Sequence, residues 1–154
     1  MERLIFSAPE GAIPDTTNEA YRLLAILADG EEHPRDELAI QLGAGFRSYL
    51  QQLMGEYYQF WLIHSETKKY KGKKQAYYQL DERHFSCDWE QDKVARTISR
   101  KQYKERSLKQ AESGLRRYQK AIAEKAEADG DFNRIRERLA DNYELTLTPA
   151  LLDE

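Results

Sequence analysis

Residues 21–80 carry five short apolar runs, and their order restricts the folds open to this chain. The runs are Tyr21-Arg22-Leu23-Leu24-Ala25-Ile26-Leu27, Leu38-Ala39-Ile40-Gln41-Leu42, Tyr49-Leu50-Gln51-Gln52-Leu53-Met54, Phe60-Trp61-Leu62-Ile63 and Ala76-Tyr77-Tyr78-Gln79-Leu80. The first three have helical spacing, whereas the last two read as strands on either side of a lysine-rich loop. Short helices of this kind are not stable alone, so three of them must pack on a small hairpin to form one core. The expected class is mainly α with a small antiparallel sheet, an α+β arrangement.

Local signals set the boundaries. Asp15-Thr16-Thr17-Asn18 offers caps for a first helix whose apolar stripe is Tyr21, Leu24, Ala25 and Ala28, widened by Leu23 and Leu27. Asp29-Gly30 stops it. Glu31-Glu32-His33 fits a brief strand, and Pro34 suits the first turn of a second helix over residues 35–42, which buries Leu38, Ala39 and Leu42. After the turn Gly43-Ala44-Gly45, a third helix over residues 46–54 directs Leu50, Leu53 and Met54 inward. That leaves Arg47, Ser48, Gln51 and Gln52 on the outer face. In the strand that follows, alternation sets Trp61 and Ile63 on one face and Leu62 and His64 on the other.

Gly43 follows the small Ala39 by four residues, the arrangement of a helix-turn-helix unit, although the next core leucines come one residue later than usual. Together with Arg35-Asp36-Glu37-Leu38-Ala39, Leu50, Leu53, the Trp61-Leu62-Ile63-His64 strand and the hairpin ending in Tyr77-Tyr78-Gln79-Leu80, this resembles winged-helix DNA-binding domains over about half of the chain. The wording from Gly43 to Leu53 is also similar to small helix-turn-helix proteins of phages and mobile elements. The resemblance implies that the helix over residues 46–54 is the recognition element. Arg suits guanine O6 and N7, and Gln suits adenine N6 and N7, so Arg47, Ser48, Gln51 and Gln52 are the expected base readers. A solvated polar face is the alternative, since many such domains bind only protein.

Charge is segregated beneath a formal net value of -3. The first 34 residues are acidic, residues 68–74 and 93–120 are basic, and the C-terminal end is acidic again. Lys68, Lys69, Lys71, Lys73 and Lys74 surround Gly72 at a hairpin tip that repels itself unless it faces water or phosphate. Tyr70 interrupts them and can donate a hydrogen bond to a phosphate, so these six are expected contacts to a DNA backbone. The aromatics Tyr57, Tyr58, Phe60, Trp61, Tyr77 and Tyr78 either fill the core under the sheet or form a stacking platform for bases, with the core favoured.

Between Trp89 and Ala128 there is no proline, and Gly114 is the only glycine, so a long basic helix from Trp89 to Ala128 with Asp88 as its cap is expected within the segment 86–128. Arg96, Arg100, Lys101 and Lys104 join the expected backbone contacts on it. Leu108, Ala111, Leu115, Tyr118 and Ile122 form a heptad seam of about two repeats, too thin to be stable without a partner. Asp129-Gly130-Asp131 is expected to break the helix. A short antiparallel helix carrying Phe132, Ile135, Leu139 and Tyr143 would follow, then a loose tail from Thr146 to the end, with docking of Leu145, Leu147, Leu151 and Leu152 on a partner as the alternative. The division is thus an N-terminal extension over 1–14, a winged-helix domain over 15–85, the basic helix over 86–128, and a short helix and tail over 129–154. A homodimer through the C-terminal helices is expected.

Other function classes find little support. The one cysteine, Cys87, excludes an intrachain disulfide and reads as a partly buried structural thiol. His33, His64 and His84 read as isolated, without metal-ligand spacing, and no phosphate-binding loop or nucleophile motif occurs. No catalytic residue, metal, cofactor or small-molecule substrate is therefore expected. No run reaches the ~20 apolar residues of a membrane span, and the first residues do not read as a signal peptide, so a cytoplasmic location is expected. Double-stranded DNA is the favoured partner, for a transcriptional regulator or a phage or plasmid DNA-transaction accessory. A protein-interaction adaptor and an RNA-binding factor using the basic helix are the rivals.

Overall fold

The computed structural model describes the backbone of residues 1–147 and the side chains of residues 1–143. Of the loose tail expected from Thr146 onward, Thr146 and Leu147 are helical, and residues 148–154 lie outside the described residues. The chain is mainly helical with a three-stranded antiparallel sheet and a long final helix. It divides into two compact units, Met1–Arg106 and Ser107–Glu154.

The first unit begins with α1 (Glu2–Ser7). Leu4 on this helix and Ala12 beyond it are fully buried, and the Trp61 indole N–H donates to the Ala12 carbonyl at 2.8 Å. Residues 1–14 are therefore tied to the core through Leu4 and Ala12 and are not the extension expected from the sequence. Helix α2 (Glu19–Leu27) starts where Asn18 accepts the Ala20 N–H at 2.9 Å, and it buries Ala20, Leu23, Leu24 and Leu27. Gly30, at φ 77°, makes the turn that follows.

Strand β1 (His33–Pro34) leads directly into α3 (Arg35–Leu42). Pro34 is thus the cap before that helix and not its first turn, because its extended backbone is already paired with β3. Gly43 at φ 85° reverses the chain into α4 (Phe46–Met54), on the residues expected from the sequence. Phe46, Leu50 and Leu53 anchor α4 in the core, and the Phe46 ring meets Tyr78 edge-on at 5.9 Å.

The hairpin consists of β2 (Ile63–Tyr70) and β3 (Lys73–Leu80), in register from Ile63 opposite Leu80 to Tyr70 opposite Lys73. Sheet order is β1-β3-β2. Lys71 and Gly72 have φ of 48° and 77°, the left-handed pair of a two-residue hairpin turn. The base of the hairpin is buried at Ile63, Tyr78 and Leu80, and its outer half is exposed on Glu66, Thr67 and Lys69. The strand starts two residues later than Trp61, because Gln59 and Phe60 turn the chain at φ 59° and 60°. Trp61 and Leu62 consequently both point into the interior and do not alternate.

After a 3-10 turn over Glu82–Phe85, α5 runs from Trp89 to Leu147 with Asp88 accepting the Glu90 N–H at 2.9 Å. The break and the short antiparallel helix expected around Gly130 are absent from this continuous element. A glycine in a helix interior costs only about 1 kcal/mol relative to alanine. Ion pairs Lys125–Asp129 and Arg134–Asp131 lie on either side of it and favour the helical spacing. Gly130 also lacks the positive φ of a helix stop, which Gly11, Gly30, Gly43 and Gly72 adopt.

Candidate functional site

Helix α4 is held by one face only. With Phe46, Leu50 and Leu53 buried, Arg47, Ser48, Gln51 and Gln52 are all exposed, as the helical spacing predicts. Arg47 has no carboxylate partner among the described residues, so its guanidinium keeps its full donor set. Ser48 is less available, since its hydroxyl donates to the Gly45 carbonyl at 2.9 Å and helps to begin the helix.

The hairpin lysines fall into two groups. Lys68 reaches the Glu32 carboxylate at 2.7 Å, with Glu66 at 3.6 Å, and Lys73 reaches Asp36 at 2.7 Å. The hydrogen bond from Lys73 holds the Asp36 carboxyl below its ordinary value. These pairs bind the hairpin to the segment before α3 and to its first turn, where the Asp36 N–H also donates to Gln75 Oε1 at 3.3 Å. Lys69, Lys71 and Lys74 are exposed with no acidic partner among the described residues, and Lys71 lies 5.3 Å from the Tyr70 ring centroid. Net positive charge at the hairpin thus comes from three lysines and not from five.

On α5, Arg100, Lys101 and Lys104 are exposed. Lys104 pairs with Glu56 at 2.5 Å and Lys101 with Glu105 at 4.0 Å. Arg96 does not belong with them. It is 7% exposed, binds Asp92 through Nε at 2.6 Å, donates to the Gln59 carbonyl at 2.8 Å, and stacks 4.0 Å from the Trp61 ring centroid. An arginine so enclosed cannot reach a DNA phosphate, and its expected role as a backbone contact is withdrawn. Its guanidinium instead ties the first turns of α5 to the left-handed Gln59-Phe60 bend.

The histidines, which read as isolated, each face an aspartate. His33 meets Asp29 at 2.9 Å, His64 meets Asp81 at 2.7 Å, and His84 meets Asp92 at 2.6 Å. The last pair is buried. The Leu62 N–H donates to His84 Nε2 at 3.0 Å, so Nδ1 must carry the proton it gives to Asp92. Burial pushes the imidazole below its ordinary value and outweighs the Asp92 hydrogen bond. For Asp92, burial raises the carboxyl, but the hydrogen bonds from His84 and Arg96 prevail and the net direction is down. Asp81 behaves alike: burial raises it, while His64 and the Arg83 N–H bring it below the ordinary range. Sequence spacing hides these networks, because most partners are distant or on opposite sides of a turn.

Trp61, Tyr58 and Tyr78 are in the core, whereas Tyr57 is 82% exposed. Cys87 is exposed, not partly buried, and its φ of 56° belongs to the turn that precedes α5. Among the described residues no group of three or more His, Cys, Asp or Glu side chains is arranged to hold a metal ion. No described helix is long and apolar enough to cross a membrane. Comparison with protein-family models, curated proteins and solved structures finds no match to this chain.

Proposed function

We propose that the first unit is a winged-helix domain that binds double-stranded DNA, with α4 as the recognition helix and the β2–β3 hairpin as the wing. The observation that carries the reading is the one-sided anchoring of α4. Its apolar side is locked by Phe46, Leu50 and Leu53, and Arg47, Gln51 and Gln52 stand exposed with the side-chain chemistry of base reading. Lys69, Lys71 and Lys74 supply sequence-independent attraction to phosphate, and Tyr70, 55% exposed, is available to a sugar or phosphate oxygen. Arg100, Lys101 and Lys104 add weaker backbone contacts, because two of them must exchange an intramolecular partner for phosphate. Such a protein fits transcriptional regulation or an accessory role in phage or plasmid DNA transactions in the cytoplasm, without cofactor or catalysis.

The test is a titration of random duplex, structured RNA and an enriched duplex site, each at two salt concentrations. Replacing Lys69, Lys71 and Lys74 with Gln weakens binding to every duplex and reduces the salt slope by about one unit for each phosphate no longer neutralised. Replacing Arg47 with Ala relaxes site preference by about 1–3 kcal/mol at the base it reads. Unchanged duplex affinity at low salt in the triple variant overturns the wing assignment, and tighter binding to RNA overturns the choice of nucleic acid. The neutralisation of Lys68 by Glu32 and of Lys73 by Asp36 favours a second reading, an adaptor whose α4 face grips a protein. That reading gains if no nucleic acid binds.

A further inference from the structure

The continuity of α5 joins two apolar segments that would otherwise belong to separate helices. With Leu108 as heptad position a, the apolar seam runs a, d, a, d, a through Ala111, Leu115, Tyr118 and Ile122. The same count, carried through Gly130 without a break, brings Phe132 and Leu139 onto position d and Tyr143 onto position a. All the large apolar residues of this seam are at least 51% exposed. Gly130 itself falls at position b, away from the seam. Lys125 and Asp129 are the polar residues at d and a in the middle, and Arg136 occupies a later a position.

We infer that two copies of this chain pair through residues 108–143 as an antiparallel coiled coil, with Lys125 of each copy opposite Asp129 of the other. In an antiparallel pair, a residues of one helix meet d residues of its mate. Setting Lys125 against Asp129 fixes the register, and Ile122 then meets Phe132 and Leu115 meets Leu139. Tyr118 meets Arg136, a cation against a ring face. A parallel pair in register would stack Lys125 on Lys125, Asp129 on Asp129 and Arg136 on Arg136, three layers of like charge in the seam.

Two further observations agree with the antiparallel choice. The unit is polarised: residues 107–123 carry four basic side chains and one acidic, and residues 124–143 carry six acidic and four basic. Antiparallel pairing lays the basic half of each copy along the acidic half of the other. The flanking positions nearest the middle are small, Ala121, Ala126 and Ala128, which allows close approach of the helices. Where one flank is large, at Ile135, the facing residue in this register is Ala121. The inference does not depend on DNA binding.

Sedimentation of the full chain, followed by a spin-label distance, tests it. With Cys87→Ser as background, a label at Gln110→Cys reads a distance of about 50 Å between copies in the antiparallel register, against under about 25 Å in a parallel one. Lys125→Glu and Asp129→Lys each weaken the dimer at least tenfold, and an equimolar mixture of the two recovers it as a heterodimer. The mixture excludes loss of the intrahelical Lys125–Asp129 pair as the cause, since that pair stays broken in both chains. A monomer at high micromolar concentration, a trimer or tetramer, a short label distance, or a mixture no tighter than its components overturns the inference.

Discussion

In its first turns α5 buries Ala95, Arg96 and Ser99, with Arg96 bound to Asp92 and the Ser99 hydroxyl donating to the Trp61 carbonyl at 3.0 Å. Between Leu108 and Tyr143 the large apolar side chains of the same helix are all more than half exposed. One element is therefore stabilised in two ways. Its start is positioned by buried polar contacts, each of which would be costly to leave unmade. Its later part depends on helix propensity and on surface pairs such as Lys120–Glu124 at 3.6 Å, worth only a few tenths of a kcal/mol each. A helix of the second kind has stability to gain from a partner, and one of the first kind already has its partners.

The contrast can be broken most forcefully at its anchored end. Asp92→Ala leaves Arg96 and His84 enclosed without their shared acceptor, and urea unfolding of the first unit should lose about 3–5 kcal/mol. Leu4→Ala, in a segment that reads as an extension, should cost about 2–5 kcal/mol in the same measurement. A loss below about 0.5 kcal/mol would return that segment to the surface.

A smaller effect should follow acidification. His84 titrates below its ordinary value in the folded chain, so its contribution is complete above pH 6.5 and is lost as pH falls through the folded value. Asp92 and Asp81 are also lowered, so their contribution persists to lower pH and disappears beneath the ordinary carboxylate range. The urea midpoint should accordingly fall in two stages from pH 8 to pH 3, and His84→Gln should remove the first stage.

At the exposed end the expected changes are slight and of opposite sign. Gly130→Ala should stabilise α5 by about 0.5–1 kcal/mol in a far-ultraviolet melt, whereas a true helix stop would be harmed by the same change. Lys71→Asn should stabilise the hairpin by a few tenths of a kcal/mol, because asparagine accepts the left-handed backbone at that turn more readily than lysine.

Much of the proposed DNA-binding surface was legible from periodicity. The boundaries of α3 and α4 follow from Pro34, Gly43 and the leucine spacing, and the outward set Arg47, Ser48, Gln51 and Gln52 follows from the inward one. The pairing of Lys68 with Glu32 and of Lys73 with Asp36 was not legible, since it depends on the hairpin crossing beside the start of α3. The enclosure of Arg96 is hidden from the sequence for a related reason. On a basic helix the residue looks like its neighbours, and only the bend at Gln59 and Phe60 offers it carbonyls to bind.

Residue order alone determined the α+β class, the bounds of two of the four short helices, and the hairpin tip at Gly72, because helical spacing, caps and turn glycines act within a few positions of one another. Tertiary structure decided which charges remain available and where residues 1–14 belong. Leu4 acquires its burial, His84 its neutral form and Arg96 its enclosure from groups dozens of residues away. A single charged side chain gives no sign in the sequence of whether it will meet water or a partner, since the cost of burying it depends on what has been folded around it.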